Sequence, residues 1–192
     1  MSDVRRGRPN YLRNMQAPAA DISYQALQES DQPRLEQLMQ RIYPPVYAHF
    51  WPDGGQWYLN SQYGWENFAR ELAQLEAIYR FVLNDGHVVG IVRTLPGLAP
   101  PGDKEIRATK LHRLYLDPVV HGCGIGQQVI EDVSKASRER GDELLWLEAM
   151  DSSTAALAFY ERVGFERMVH FTLDMPRMYP ARRGMWRLGK RW

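Results

Sequence analysis

The most informative segment of the sequence is residues 114–126, LYLDPVVHGCGIG. It begins as an apolar strand that Asp117-Pro118 ends, and it closes on glycines at positions 122, 124 and 126. Because glycine lacks a Cβ atom, the chain can turn tightly here and direct successive backbone N–H groups at one point. A helical pattern runs from Gly126 to about Arg140, and a helix N-terminus carries a partial positive charge. The segment therefore predicts a phosphate or pyrophosphate site.

Two common phosphate-binding motifs do not fit this turn. A Walker loop ends in Gly-Lys-Ser/Thr, whereas Gly126 is followed by Gln127 and Gln128. A dinucleotide-binding turn has the spacing GxGxxG directly after its strand, whereas here the spacing is GxGxG and residues 117–121 intervene. A glycine turn without any ligand is the remaining alternative, but it gives no reason for three residues that each cost conformational entropy.

The periodicity around this segment predicts a mixed α/β domain. Alternation typical of strands is found at residues 22–27, 77–83, 88–93, 108–116, 144–150, 167–174 and 184–188. Helices are expected after Ser30-Asp31 as far as Ile42, then to about Phe50, and at residues 126–140 and 152–163. A further helix is expected to begin at Asn60 or Ser61 and to bury one apolar face, formed by Trp65, Phe68, Leu72 and Leu75. We expect one central mixed sheet of about six to seven strands, flanked by helices.

Composition excludes several classes of protein. A chain of 192 residues suits one domain, and no apolar run approaches the roughly 18 residues of a membrane span. Because 24 basic residues face 23 acidic ones, no overall charge favours nucleic acid or a membrane surface as a partner. Cys123 is the single cysteine, so an internal disulfide and a multi-cysteine zinc site are both excluded, and no metal is expected.

The N-terminal segment differs from the rest of the chain. Residues 1–20 contain four arginines but few large apolar groups, so we expect a flexible tail before a domain at residues 21–192. No apolar stretch follows these arginines, as a secretion signal would require, and we expect a cytoplasmic protein.

Two motifs resemble those of the GNAT superfamily of N-acetyltransferases. Residues 121–126, HGCGIG, resemble its signature Gln/Arg-x-x-Gly-x-Gly/Ala, with His121 in place of Gln or Arg. Residues 156–165, ALAFYERVGF, resemble its AxxFYxxxGF element, with Ser153 where the family often has Asn. The order and spacing of the strands match from about residue 22 to 175. The resemblance implies a single GNAT domain that binds acetyl-coenzyme A in a cleft where two neighbouring parallel strands splay apart.

The resemblance also implies which residues bind the coenzyme. The main chain of Leu114, Tyr115 and Leu116 would pair with the pantetheine arm like an added strand. Ser153 and Tyr160 would contact the coenzyme near its thiol end. The pyrophosphate would be held by the amides of the glycine turn, namely Gly122, Cys123, Gly124, Ile125, Gly126 and Gln127.

The activity implied is transfer of an acetyl group to an amine of a small molecule, a peptide or a protein. The alternatives are a coenzyme-binding sensor or scaffold without turnover, and the same fold acting with a longer acyl chain or an alcohol acceptor. The protein would act as a monomer or a homodimer.

Acyl transfer to an amine requires a neutral amine and benefits from a proton donor to the leaving thiolate. The family motif assigns the donor role to Tyr160. Glu148 is the candidate base, because burial in a central strand would raise the pKa of its carboxyl group towards neutrality. His112 on the neighbouring strand and water are the rival bases. Glu148 is alternatively a structural carboxylate paired with Arg113 or His112.

Aromatic residues are concentrated in one part of the chain. Eight of them lie between Tyr43 and Trp65. The resemblance assigns this region to the acceptor site, where aromatic walls would suit an apolar, aromatic or cationic amine. The alternative is a core cluster beneath a kinked helix.

Overall fold

In the computed structural model, which describes residues 21–192, one seven-stranded sheet organises the chain. Its strands are β1 (Ile22–Ala26), β2 (Ile78–Asn84), β3 (His87–Pro96), β4 (Ala108–Leu116), β5 (Leu144–Met150), β6 (Glu166–Thr172) and β7 (Gly184–Arg191). Their order is β1-β2-β3-β4-β5-β7-β6, with β4 and β5 parallel and every other neighbouring pair antiparallel. The predicted mixed α/β fold is confirmed. The predicted tail at residues 1–20 lies outside the described residues.

The helices form one layer on each face of the sheet. They are α1 (Gln32–Ile42), α2 (Pro44–Tyr47), α3 (Gln56–Tyr63), α4 (Trp65–Leu72), α5 (Ile125–Glu139) and α6 (Thr154–Arg162). Successive strand residues point to opposite faces, so Phe81 packs with α1–α4 while Val82 packs with α5 and α6. Within residues 21–192, no helix has both the length and the apolar character needed to cross a membrane.

The region between α2 and β2 differs from the prediction. A single helix was expected from Asn60 or Ser61, but α3 already begins at Gln56, and Gly64 separates it from α4. Gly64 has extended backbone (φ −63°, ψ 156°), and a Cβ atom there would lie 2.4 Å from the carbonyl oxygen of Asn60. Within the expected apolar face, Phe68 is buried, whereas Trp65 at the start of α4 is 52% exposed and Leu75, beyond the end of α4, is 89% exposed.

A β-bulge in β4 changes the direction of its side chains. Arg93 of β3 pairs with Arg113, and the next residue, Thr94, pairs with Leu111, so His112 is an extra residue in β4. Leu111 therefore packs with α5 and α6, whereas Arg113 points to α4.

The two parallel strands separate soon after they meet. They pair only at Ala108–Leu144, Thr109–Leu145 and Lys110–Trp146. β5 remains paired with β7 as far as Met150, and β4 remains paired with β3 as far as Leu116. The facing edges of β4 and β5 beyond Lys110 and Trp146 therefore form an open wedge in the middle of the sheet.

Candidate active site

The wedge contains a cavity of about 270 Å³. Five residues predicted for the site lie together in its wall, namely Leu114, Tyr115, Glu148, Ser153 and Tyr160. A larger groove of about 490 Å³ runs along α1 beside Arg34 and Arg41, but it is open to solvent and contains none of the predicted residues. We therefore take the wedge as the candidate active site.

The glycine turn lies where β4 gives way to α5. Gly122 (φ +80°) and Gly124 (φ +82°) have left-handed backbone, which glycine adopts without steric cost. Gly124 is the N-cap of α5, no side chain caps this helix, and the first-turn amides have no acceptor within the helix. A Cβ atom on Gly124 would meet no heavy atom within 4 Å, so the space above the turn is open. These features fit an anion bound by backbone N–H groups.

Gly126 has a different role from Gly124. A Cβ atom at Gly126 would lie 3.2 Å from the ring of Phe159, so this glycine allows α5 and α6 to approach closely. The three glycines of the motif thus divide between turning the chain and packing the helices.

The edge of β4 that faces the wedge suits an extended ligand. Residues 114–116 of β4 pair with β3 on one side only, because β5 has already diverged. A linear molecule with amide groups can add to such an edge as a further strand. Since α5 begins shortly after β4 ends, a ligand with an amide-containing arm and a pyrophosphate fits this edge and the glycine turn together.

Tyr160 projects from α6 into the cavity wall. Its ring packs against Phe159 and Phe165, with centroid separations of 5.2 and 5.7 Å. Burial, and then the nearby Tyr47, raise the pKa of Tyr160, and no hydrogen bond contributes to that shift. The phenol therefore stays protonated at neutral pH and can donate a proton into the cavity.

Glu148 is held by two cations. Lys110 Nζ donates to one carboxylate oxygen at 2.7 Å, and Arg187 donates to the other from Nη2 at 2.7 Å and from Nε at 3.2 Å. Burial alone would raise the pKa of Glu148, but the hydrogen bonds and charges of these cations outweigh it, and the pKa lies below its ordinary value. The expected raised pKa is wrong.

The expected partners of Glu148 are also wrong. Arg113 pairs instead with Glu71 of α4, and His112 pairs with Arg93. The bulge in β4 brings Arg113 to the same face of the sheet as Glu148, but its guanidinium is engaged by Glu71 and Gln62.

His112 lines the cavity in a neutral state. Arg93 Nη1 lies 2.6 Å from His112 Nδ1, and a guanidinium can only donate, so Nδ1 accepts and the ring proton lies on Nε2. Burial, and then the charges of Arg113, Arg93 and Lys110, lower the pKa of His112 to about 3. With its only lone pair engaged, the imidazole is poorly placed to act as a base.

Comparison with known proteins identifies the family. The model of the acetyltransferase (GNAT) family matches residues 33–165, which is more than half of the chain. The chain belongs to the GNAT family of acetyltransferases. The GNAT family uses acetyl-coenzyme A, and its homologues are named N-acetyltransferases, so this GNAT protein is an N-acetyltransferase.

Three relatives of this GNAT protein illustrate the match. The N-alpha-acetyltransferase RimI of Mycobacterium tuberculosis is 27% identical over 155 residues, which cover 80% of this chain and 84% of that protein. The [ribosomal protein bS18]-alanine N-acetyltransferase of Escherichia coli is 36% identical over 55 residues, covering 29% of this chain and 37% of the relative. PaiA N-acetyltransferase of Thermoplasma acidophilum, solved in complex with coenzyme A, has a TM-score of 0.67 at 16% identity and covers 90% and 99% of the two chains. This last likeness shows the fold alone.

The aromatic region of the GNAT protein belongs to both the core and the cavity. Tyr43 stacks on Tyr47 and Tyr58 at 4.8 Å, and it accepts a hydrogen bond of 2.9 Å from Trp51 Nε1. These four rings also line the cavity, whereas Trp65 lies exposed on α4. The aromatic rings therefore contribute both to the core and to the lining of the cavity.

Sequence reasoning missed a second part of the cavity wall. It comes from the end of β5, the segment between β6 and β7, and the start of β7, with the apolar residues Met150, Leu173, Met175, Met178 and Met185. Among the signals in the sequence, only the recurrence of methionine between residues 175 and 185 marks this wall. The charged partners Lys110 and Arg187 were missed as well, because neither lies near Glu148 in the chain.

Proposed function

We propose that this GNAT protein transfers the acetyl group of acetyl-coenzyme A to a primary amine held in the wedge. The observation that carries the proposal is the continuity between the unpaired edge of β4 and the uncapped N-terminus of α5. Residues 21–192 would form the acetyltransferase domain.

The resemblance to the GNAT family assigned certain residues to the binding of acetyl-coenzyme A, and the continuity of β4 with the start of α5 supports this assignment. The amides from Gly122 to Gln127 would hold the pyrophosphate, and the main chain of residues 114–116 would hold the pantetheine arm. Ser153 and Tyr160 would lie near the thiol end, since both line the cavity. When bound, acetyl-coenzyme A supplies an acyl group activated as a thioester.

Two side chains would move protons. Tyr160, which is protonated at neutral pH, would donate to the leaving thiolate. Glu148 is ionised and lines the cavity, so it would attract the ammonium form of the acceptor and take up its proton through water. Because the pKa of Glu148 is low, the carboxylate would pass this proton on to solvent and would not retain it.

The acceptor would be an amine attached to an apolar group. Aromatic rings from α1–α3 form one wall of the cavity and methionines form the other, and both favour apolar substituents. The names of the relatives refer to α-amino groups, and by analogy the acceptor would be a small molecule or a peptide or protein N-terminus.

The first experiment tests coenzyme binding. Coenzyme A and acetyl-coenzyme A should raise the melting temperature, whereas NAD and ATP should not. At a hundredfold excess of ligand over Kd, binding should increase the free energy of unfolding by about 2.7 kcal/mol. Gly124→Val should abolish the shift, since its Cβ would occupy the open space above the turn in strained backbone.

Gly97→Val is the matched control for this experiment. Gly97 has a similar φ of +73° and equally open space, but it follows β3 at the opposite end of the sheet. This variant should therefore keep the coenzyme shift. A shift with NAD and none with coenzyme A would overturn the assignment.

The second experiment is thiol release from acetyl-coenzyme A with a panel of primary amines. Release that depends on the amine supports the transferase. If coenzyme A binds but no amine in the panel causes thiol release from acetyl-coenzyme A, the proposed transfer to a primary amine fails.

A further inference from the structure

Six ionised side chains, in two neighbouring ion-pair networks around His112, form a group on the face of the sheet that bears the cavity. Lys110, Arg113 and Glu148 line the cavity itself. Arg187 binds Glu148, while Glu71 binds Arg113 and lies near Arg93. The exposed fractions of these six side chains lie between 2% and 19%, so solvent screens them weakly.

This group carries more positive than negative charge. Its cations are Lys110, Arg187, Arg113 and Arg93, and its anions are Glu148 and Glu71. The pKa of Glu148 is lowered and that of Arg113 is raised, so both remain charged at neutral pH. Three further titratable side chains contact the group: burial lowers the pKa of His112 and raises the pKa values of Tyr63 and Tyr79, so all three are neutral at neutral pH. The excess is two positive charges in a desolvated part of the protein, which is unfavourable unless an anion compensates for it.

The pyrophosphate of the coenzyme is too far away to supply that anion. Lys110 lies at the closed end of the wedge, and the glycine turn follows Leu116 at the open end. At about 3.3 Å per residue, β4 places these two ends roughly 20 Å apart. The compensating anion must therefore belong to whatever occupies the acceptor side of the cavity.

Lys110 is the cation best placed to bind such an anion. Its ammonium has three hydrogens, and among the described residues it donates one hydrogen bond, to Glu148. It lies 4.5 Å above the ring of Trp146, which orients it without using a donor. The guanidinium of Arg187, in contrast, is occupied by Glu148 and the carbonyl oxygen of Pro101.

We propose that the acceptor carries a carboxylate beside its amine, bound by Lys110 with Arg187 behind it, and that it is an apolar α-amino acid. This inference rests on the proposed acetyl transfer and narrows the substrate class. Glu148 would then face the ammonium while Lys110 faces the carboxylate. The aromatic and methionine walls would hold the apolar side chain. The excess positive charge argues against a polyamine or another cationic acceptor.

The test compares three acceptors that share one side chain: phenylalanine, phenylalaninamide and phenethylamine. We expect kcat/KM for phenylalanine, measured by thiol release, to exceed that of each analogue without a carboxylate by about 10- to 100-fold, the range of a hydrogen bond to a charged group. Phenylalaninamide has a less basic amine than phenylalanine, so a larger fraction of it is present as the reactive neutral amine. This difference favours the amide and therefore acts against the expected preference for phenylalanine.

Variants of Lys110 make the test specific. Lys110→Gln should reduce the preference for phenylalanine over phenylalaninamide by about 10-fold, mainly through KM, whereas Lys110→Arg should retain most of it. The ratio of kcat/KM for the two acceptors, measured on one variant, is not changed by a general loss of folded protein. Lys135→Gln, on the exposed surface of α5, should leave the ratio unchanged.

The outcomes separate the two proposals. Equal or better turnover of the two analogues without a carboxylate, or of a peptide with an uncharged first residue, would overturn the inference. The proposed acetyl transfer would still stand. If no amine is acetylated although coenzyme A binds, the proposed function fails. Titration of the coenzyme-loaded protein with N-acetylphenylalanine and its amide then decides the inference, because equal affinity would refute it.

Discussion

Replacing His112 with asparagine should reduce the loss of stability that the protein suffers on mild acidification. In the folded protein the pKa of His112 is lowered to about 3, against 6.5 for an ordinary histidine. As pH falls below 6.5, the unfolded chain therefore gains a proton that the folded chain cannot yet bind. The stability due to the neutral imidazole is present above pH 6.5 and is lost as pH falls towards 3. Asparagine at this position can still accept the hydrogen bond from Arg93 but does not titrate.

The magnitude follows from the difference between the two pKa values. Each pH unit within that interval is worth about 1.4 kcal/mol, so His112 alone should cost about 2 kcal/mol of unfolding free energy between pH 7 and 5. A protein with an ordinary stability of roughly 5–15 kcal/mol would show this loss clearly.

Urea unfolding at pH 7 and pH 5 provides the measurement. The wild type should lose about 2 kcal/mol more than His112→Asn over this interval. His87→Asn, at the exposed start of β3, should behave like the wild type. Equal losses in the wild type and His112→Asn would mean that the folded protein protonates His112, and the contact with Arg93 would not hold the ring neutral.

The catalytic assignments give two further predictions. Tyr160→Phe should keep the thermal shift with coenzyme A but lower kcat by roughly 10²–10⁴-fold, and an unchanged kcat would remove the phenol from the reaction. Glu148→Gln should lower kcat/KM yet retain the acidic limb of the pH–rate profile, because the pKa of Glu148 is low and the limb belongs to the acceptor amine. Loss of that limb in Glu148→Gln, but not in the exposed control Glu143→Gln, would contradict the lowered pKa.

The local features of this protein follow from its sequence. The bounds predicted for β4 and β5, residues 108–116 and 144–150, agree with the structure because alternating apolar residues specify a strand within a few positions. The left-handed backbone of Gly122 and Gly124 follows equally from local sterics. The conformation of the glycine turn was therefore predictable without any knowledge of distant contacts.

Features that depend on pairing between strands were not predictable in this way. The wedge exists because β4 and β5 diverge after Lys110, and the bulge at His112 exists because β3 has one residue fewer at that position. Neither feature changes the alternation of apolar and polar residues within a single strand. The resemblance to the GNAT family implied the cleft, but the residues of β4 and β5 alone did not.

The electrostatics of the site depended entirely on the tertiary structure. Glu148 on its own is an acidic residue in a buried strand, for which desolvation predicts a raised pKa. Lys110 precedes it by 38 residues and Arg187 follows it by 39, and only the sheet brings both to its carboxylate. The pKa of a side chain depends on its burial and on the charges within a few ångströms of it. Here those charges come from strands that are far apart in the sequence. The sequence thus determined the glycine turn and the start of the helix that follows it, whereas the folded sheet decided the charge of the cavity beside them.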